Sequence, residues 1–232
     1  MFNFRGTRKP DFRAGRVALS YDNYWDTRGM QIERKLKPRE EMMLKLAPSG
    51  SRILIVGAGT SRLPLSLRDK GCTVVVSDIS EPVLKLFRDK SFETFPLDLE
   101  KISKGSIKET YDIVILSEVL EHVRNPEGAI EALSPHTKRF YITIPNSAFY
   151  RFRFHLFFRG RFFTQWALHP AEHLRFWSHT DFLDWLDAMD LDLEMTRSSN
   201  GFSLFGLAPW LKDAWKNFFG HQILYVAAPK LS

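Results

Sequence analysis

The stretch Ser51-Arg-Ile-Leu-Ile-Val-Gly-Ala-Gly-Thr-Ser-Arg-Leu-Pro-Leu-Ser-Leu67 constrains the fold more than any other part of the chain. Arg52–Val56 is a short apolar run rich in β-branched residues, the pattern of an inner parallel strand. Gly57-Ala58-Gly59 follows, and its glycines let the backbone turn tightly and lie close to whatever covers it. Thr60 or Ser61 can cap the next helix, whose free N–H groups point at the same spot. This order of strand, turn and helix suits a nucleotide-like ligand. The third glycine of the common nucleotide fingerprints is missing, with Ser61 or Arg62 in its place.

The alternation continues downstream. A helix over Leu63–Lys70 ends at Gly71, and the buried strand Thr73–Ser77 carries Asp78 at its carboxyl end. A helix over Pro82–Asp89 returns to a short strand near Phe92–Phe95. Tyr111–Leu116 is the fourth strand, Asn125-Pro126 opens a helix through Leu133, and Phe140–Ile144 is the fifth strand. Such a succession predicts an α/β, Rossmann-like doubly wound sheet covered by helices on both faces. Ligands of these sheets bind beyond the carboxyl ends of the strands, which places Gly57, Asp78, Asp98 and Ser117 on one rim.

At 232 residues the chain is expected to form a single domain, 1–232. Residues 1–30 read as a basic arm and flap, with the aromatic cluster Tyr21-Asp-Asn-Tyr-Trp25 ahead of a charged helix over Glu33–Leu46. That cluster serves either as a staple onto the core or as a flap over a ligand. Residues 147–177 and 202–219 are aromatic-rich lid or insertion segments, the first too long for an ordinary connection. Within the second, Trp210, Leu211, Ala214, Trp215, Phe218 and Phe219 recur at helical spacing. Late strands fall over Leu191–Arg197 and Gln222–Ala227, with a capped helix from Ser178 or Thr180 to Met189 before them. The single cysteine, Cys72, excludes an internal disulfide framework and any CxxC site and points to the cytoplasm. No apolar run approaches the length of a membrane span.

Asp78 lies 21 positions after Gly57, where a carboxylate can accept hydrogen bonds from both hydroxyls of a ribose, although capping the next helix is the alternative. Asp98, in Phe95-Pro-Leu-Asp-Leu-Glu100, is placed to meet an adenine amino group. Glu118, Glu121 and His122 could share one helical face and hold a divalent ion, or Glu121 and His122 could orient a turn; no metal ligand is assigned.

The succession VGAG, VVVSDIS, PLDLE, YDIVILSEVLEHVRNP and ITIPN resembles the class I S-adenosylmethionine-dependent methyltransferases. The LSEVLEHVRNP stretch is similar to the ubiquinone-type O-methyltransferases, and the part from Pro145-Asn146 through Glu172-His-Leu-Arg-Phe-Trp-Ser178 to the MetW-like branch. The resemblance implies seven strands, mostly parallel with a C-terminal antiparallel hairpin, and S-adenosylmethionine as cofactor with S-adenosylhomocysteine as product. In that pattern the glycine turn Gly57, Ala58 and Gly59 holds the methionine part, Asp78 the ribose and Asp98 the adenine, with Ile79, Leu99 and Ser117 as further cofactor-binding residues. Arg39 is the candidate to meet the cofactor carboxylate. Ile55 stands where the family has an acid, whose role must pass elsewhere or be lost. His122 is the nearest candidate base for a hydroxyl acceptor, with His155, His169 and His173 as substitutes.

The expected activity is methyl transfer to a small-molecule or a lipid- or glycan-linked acceptor, as an O-methyltransferase. Two other classes fit parts of the pattern: a non-catalytic partner protein on this fold, and an NAD-dependent dehydrogenase. The arginines Arg151, Arg153, Arg159 and Arg161 alternate with phenylalanines. They make either a lid with solvated charges or a surface for an acidic or lipid-linked substrate, an anionic bilayer or a protein partner. No recognised RNA module accompanies them, which argues against nucleic acid.

Overall fold

A computed structural model describes residues 20–103, 105–163, 172–202 and 208–230. The expected basic arm before residue 20 and His169 lie outside the described residues. Helices α1 (Tyr21–Arg28) and α2 (Pro38–Leu46) lead into strand β1 (Arg52–Val56). Then come α3 (Leu63–Asp69), β2 (Thr73–Asp78), α4 (Glu81–Arg88), β3 (Glu93–Pro96) and β4 (Tyr111–Ser117). The chain continues with α5 (Pro126–Leu133), β5 (Thr137–Pro145), α6 (Tyr150–Arg159), α7 (His179–Ala188) and β6 (Leu191–Gly201). It ends on α8 (Leu211–Ala214), α9 (Lys216–Phe219) and β7 (Gly220–Pro229).

The seven strands form one sheet in the order β3-β2-β1-β4-β5-β7-β6. β1 through β5 are parallel, and β7 runs antiparallel between β5 and β6. The strand order reverses between β1 and β4, so the carboxyl ends of these two strands flank the crevice where such sheets take a ligand. The inserted β7 also separates this sheet from the dinucleotide-binding order of a dehydrogenase, which is 3-2-1-4-5-6.

The period-two alternation of the strands splits the core in two. Leu54, Val56, Val114, Leu116 and Ile142 pack toward α5 and α7, against Ile130, Leu133, Phe182 and Leu186. Ile53, Ile55, Val74, Val76, Ile113 and Ile115 pack on the other side, against Met43, Leu63, Leu67, Val83 and Phe87. With both faces covered, the strand backbones are held rigid up to the rim where the candidate site residues lie.

Two expectations need correction. The charged helix begins at Pro38 rather than Glu33, because the residue before a proline is pushed out of the helical region and Lys37 is extended at φ −76°, ψ 155°. The stripe from Trp210 to Phe219 is not one helix. It breaks into two single turns at Trp215, whose backbone leaves the helical region at φ −135°, ψ 73°. Asp213 accepts a hydrogen bond from the backbone N–H of Ser198 at 2.8 Å, which ties the first turn to β6.

The fully buried Asn146 joins β5 to the later insertion. Its Nδ2 donates to the carbonyls of Gly220 at 2.7 Å and Lys216 at 3.1 Å, and its Oδ1 accepts from the N–H of Ala148 at 3.0 Å. Two histidines nearby are held neutral. Burial, and next the Lys216 cation, lowers His179 to a pKa of about 4, and its Nδ1 lies 2.8 Å from the Tyr225 hydroxyl. Burial, with Arg151 and Arg39 close by, lowers His221 to about 4 as well. Both take up a proton near pH 6.5 when the chain unfolds, but only near pH 4 when it is folded, so the unfolded state binds more protons between those values. Their contribution is therefore complete above about pH 6.5 and lost as pH falls toward 4. By themselves these two histidines should lower the melting temperature by roughly 4–8 °C at pH 5 relative to pH 7, after discounting for the partial exposure of His179, with the raised pKa of buried Glu121 acting in the opposite direction. His179→Asn keeps an acceptor for Tyr225 without a titrating ring and should reduce that acid slope; an unchanged slope would refute the assignment.

Candidate functional site

The carboxyl ends of β1, β2 and β4 open on a cleft of about 470 Å³, whose walls include Gly57, Gly59, Asp78, Asp98, Ser117 and His122. The rim expected from the sequence is therefore assembled. Gly57 and Gly59 sit at φ +68° and +52°, backbone conformations that favour glycine. A Cβ at Gly57 would lie 2.7 Å from a Val119 methyl carbon, and one at Gly59 would lie 2.5 Å from the Trp25 ring. Trp25 thus covers the turn from α1 while packing against the core cluster beneath α2, the staple reading of the aromatic cluster, and Tyr21 and Tyr24 line the cleft. The N-cap of α3 is Arg62 rather than the expected Thr60 or Ser61, although the Ser61 hydroxyl accepts from the N–H of Leu63 at 3.0 Å.

Asp78 is 4% exposed. One carboxylate oxygen accepts from the N–H of Gly59 and the other from that of Ser80, each at 3.0 Å. Burial raises its pKa above the ordinary value, and these backbone donors oppose the shift. The side chain locks the glycine turn to the end of β2 and keeps further lone pairs for hydroxyl donors. Asp98 accepts from the N–H of Glu100 at 3.0 Å and pairs with Lys101 at 3.0 Å. Ile79 is 48% exposed at the cleft, whereas Leu99 is buried.

On the β4 side, Arg39 donates from Nε to the Ser117 hydroxyl at 3.2 Å and from a terminal nitrogen to Gln222 at 3.4 Å. Gln222 in turn donates to Glu118 at 2.7 Å. Glu118 holds the left-handed conformation at φ +56°, a strained backbone of the kind found where a site imposes geometry. Glu118, Glu121 and His122 do not share an α-helical face, because only a short 3-10 turn, Leu120–His122, follows β4.

The fold adds His173 to this group, 51 residues beyond His122 in sequence. Glu121, His122 and His173 each offer a ligand atom, all within 4.8 Å of one another. Glu121 is 1% exposed, and neither of its carboxylate oxygens has a hydrogen-bond partner among the described residues. The same holds for Nδ1 of His173 and one oxygen of Glu118. Burial, with Glu118 beside it, raises the Glu121 pKa well above the carboxylate range. His122 sets its Nδ1 against the Glu172 carbonyl, which requires the proton on Nδ1 and leaves Nε2 as the acceptor of the neutral ring. Burial lowers the His122 pKa, and lowers His173 to about 4 with help from His122.

Glu40 was not legible as a site residue. It is 2% exposed, reaches the glycine turn from α2, accepts from the Ser61 hydroxyl at 3.0 Å, and accepts from the N–H of Lys37 at 2.8 Å. Tyr21 also lines the cleft, its phenol pKa raised to about 12 by burial and next by Glu172. His155, expected as a substitute base, is instead on α6 with its ring 5.9 Å from that of Phe163.

The sheet order and glycine-turned cleft are those of the class I S-adenosylmethionine-dependent methyltransferases. Residues 28–195 match the family described as "Methyltransferase domain", and the chain belongs to it. That assignment takes the place of the dehydrogenase alternative. Among curated proteins, the chain is 30% identical over 145 residues to the "Ubiquinone biosynthesis O-methyltransferase" of Xanthomonas axonopodis pv. citri, covering 56% of this chain and 59% of the relative. It is 24% identical over 131 residues to the "Bifunctional methionine biosynthesis protein MetXA/MetW" of Rhodopirellula baltica, covering 53% of this chain and 21% of that protein. The chain thus spans less than two thirds of either relative. Among solved structures, it matches a chain from the complex of the Haloferax volcanii Trm112 methyltransferase activator with a methyltransferase, at a TM-score of 0.65 and 16% identity. That match covers 92% of this chain and all of that one. The magnesium protoporphyrin IX methyltransferase of Synechocystis, solved with bound S-adenosylhomocysteine, matches at a TM-score of 0.55 and 14% identity over 97% of this chain and 90% of that one.

Proposed function

We propose that this chain, as a single domain, transfers a methyl group from S-adenosylmethionine to a hydroxyl of a small-molecule or lipid- or glycan-linked acceptor. The reading rests on one observation: the glycine turn, the buried Asp78 and the Glu121–His122–His173 group line the same cleft. The cleft suits the cofactor in size and chemistry, with a glycine turn at positive φ on its wall, a buried carboxylate, Asp78, and a cation, Arg39.

In this proposal Gly57, Ala58 and Gly59 cradle the methionine part and Arg39 meets its carboxylate. Asp78 accepts from the ribose hydroxyls, Ile79 and Leu99 flank the adenine, Asp98 takes its amino group, and Ser117 completes the wall. Glu40 answers the absence of an acid at Ile55, since it brings a buried carboxylate to the turn from another element. Bound S-adenosylmethionine supplies an electrophilic methyl on a sulfonium whose charge disappears as the methyl leaves. The protein's part is alignment and exclusion of water, with Trp25 and Tyr21 closing the cofactor side. A hydroxyl acceptor must also lose its proton, and His122, neutral with Nε2 available, is the candidate acceptor for it.

The same Nε2 could instead ligate a divalent cation together with Glu121 and His173. Two imidazoles and a carboxylate suit zinc, manganese or iron(II). A cation held there would lower the pKa of an acceptor hydroxyl. The two uses of Nε2 exclude each other, and metal titration separates them. The cofactor reading is tested by calorimetry: the full chain should bind S-adenosylhomocysteine with a dissociation constant in the micromolar range, and absence of binding by either cofactor form would overturn it.

A further inference from the structure

From the convergence of the two aromatic insertions we infer a docking surface for an anionic lipid bilayer, independent of which acceptor is methylated. No Asp or Glu occurs from Asn146 through Ala171, whereas four arginines do: Arg151, Arg153, Arg159 and Arg161. Of the ten residues of α6, only Phe152 is buried. Phe157 and Phe158 are 80% and 74% exposed, and Phe162 just beyond the helix is 85% exposed. Water-facing aromatics at this level are costly unless something apolar covers them.

The surface is continuous although its parts lie far apart in sequence. Ring centroids run from Phe157 to Phe158 at 4.9 Å, to Phe154 at 6.0 Å, to Phe218 at 6.2 Å and to Trp215 at 4.7 Å. Arg153 sits over Phe218 at 5.5 Å, which places a cation within the aromatic face. Asp213, the acid of the second insertion, is bonded to Ser198 and lies 3.5 Å from Lys212, so it does not cancel the positive field. Aromatic tips set among arginines, with no opposing acid on the helix, match the acyl–headgroup boundary of an anionic leaflet. No helix among the described residues is long and apolar enough to cross a membrane, so docking would be peripheral. Beneath this face, the buried Phe149 packs on His221 at 5.0 Å and the adjacent Gln222 bonds Glu118, which connects α6 to the cleft through the interior.

Flotation of the full chain with vesicles tests this. Vesicles of phosphatidylcholine containing one-third phosphatidylglycerol should carry the protein at about 0.15 M salt, phosphatidylcholine alone should carry little, and about 0.5 M salt should weaken the binding. The double variant Phe157→Ser/Phe158→Ser should lower partitioning roughly a hundredfold. Arg159→Gln/Arg161→Gln should lower it roughly tenfold or more. Both variants should bind S-adenosylhomocysteine as the parent does, which separates failure of docking from failure of the cofactor site. No flotation, equal flotation on both vesicle types, or variants indistinguishable from the parent would each overturn the inference. An acidic protein on this face would give the first of these results.

Discussion

Replacing Asp78 by alanine is expected to weaken S-adenosylhomocysteine binding more than a hundredfold, with calorimetry as the measurement. The carboxylate performs two tasks at once. It accepts from the N–H groups of Gly59 and Ser80, and so fixes the turn relative to β2. In the proposed complex it also accepts from both ribose hydroxyls. Charge-assisted bonds of this kind are each worth about 1.5–3 kcal/mol when buried, so losing two of them accounts for a hundredfold. Asp78→Asn keeps the shape but turns a donor toward a donor at one position, and about 10- to 50-fold is expected there. Far-UV circular dichroism should show both variants folded. Binding by the alanine variant within threefold of the parent would remove Asp78 from the ribose role.

The second large effect is expected at Glu121. On the metal reading, the protein dialysed against a chelator should bind Mn²⁺ or Zn²⁺ near one equivalent, and Glu121→Gln should weaken that binding more than a hundredfold. The reason is that Glu121 is buried with both oxygens lacking hydrogen-bond partners among the described residues, and a cation would ionise and satisfy it together. The metal-free group must instead be protonated, consistent with the rise in its pKa from burial and from Glu118. Removing that buried acid should also leave the metal-free protein as stable as the parent or more so, because an isosteric amide needs no proton uptake to be buried neutral. A purely structural glutamate predicts the reverse pair of results: no metal binding and a clear loss of stability. Without metal binding at millimolar concentration, His122 remains as the proton acceptor.

In the proposed complex, Glu40 takes the part that an acid at position 55 would play. Ile55 packs with Met43 in the core cluster under α2, where an ionised acid would be costly to bury. One turn before Met43, Glu40 is placed so that its carboxylate reaches Ser61, the residue replacing the third glycine.

The strand–turn–helix at Arg52–Leu67, the alternation that makes the parallel part of the sheet, and the placing of Gly57, Asp78, Asp98 and Ser117 at strand ends were all legible in the residue order. These features are written in local spacing: apolar runs, a proline or glycine at an element boundary, and an acid immediately after a strand. The folded chain, and nothing in local spacing, brings Glu40 to Ser61, Trp25 over Gly59, and His173 to Glu121 and His122. It also breaks the stripe over Trp210–Phe219 at Trp215 and closes it on α6. Each of these depends on the path of a loop between elements. A side-chain periodicity reports which face of one element is apolar and carries no information on where a distant segment returns to meet it.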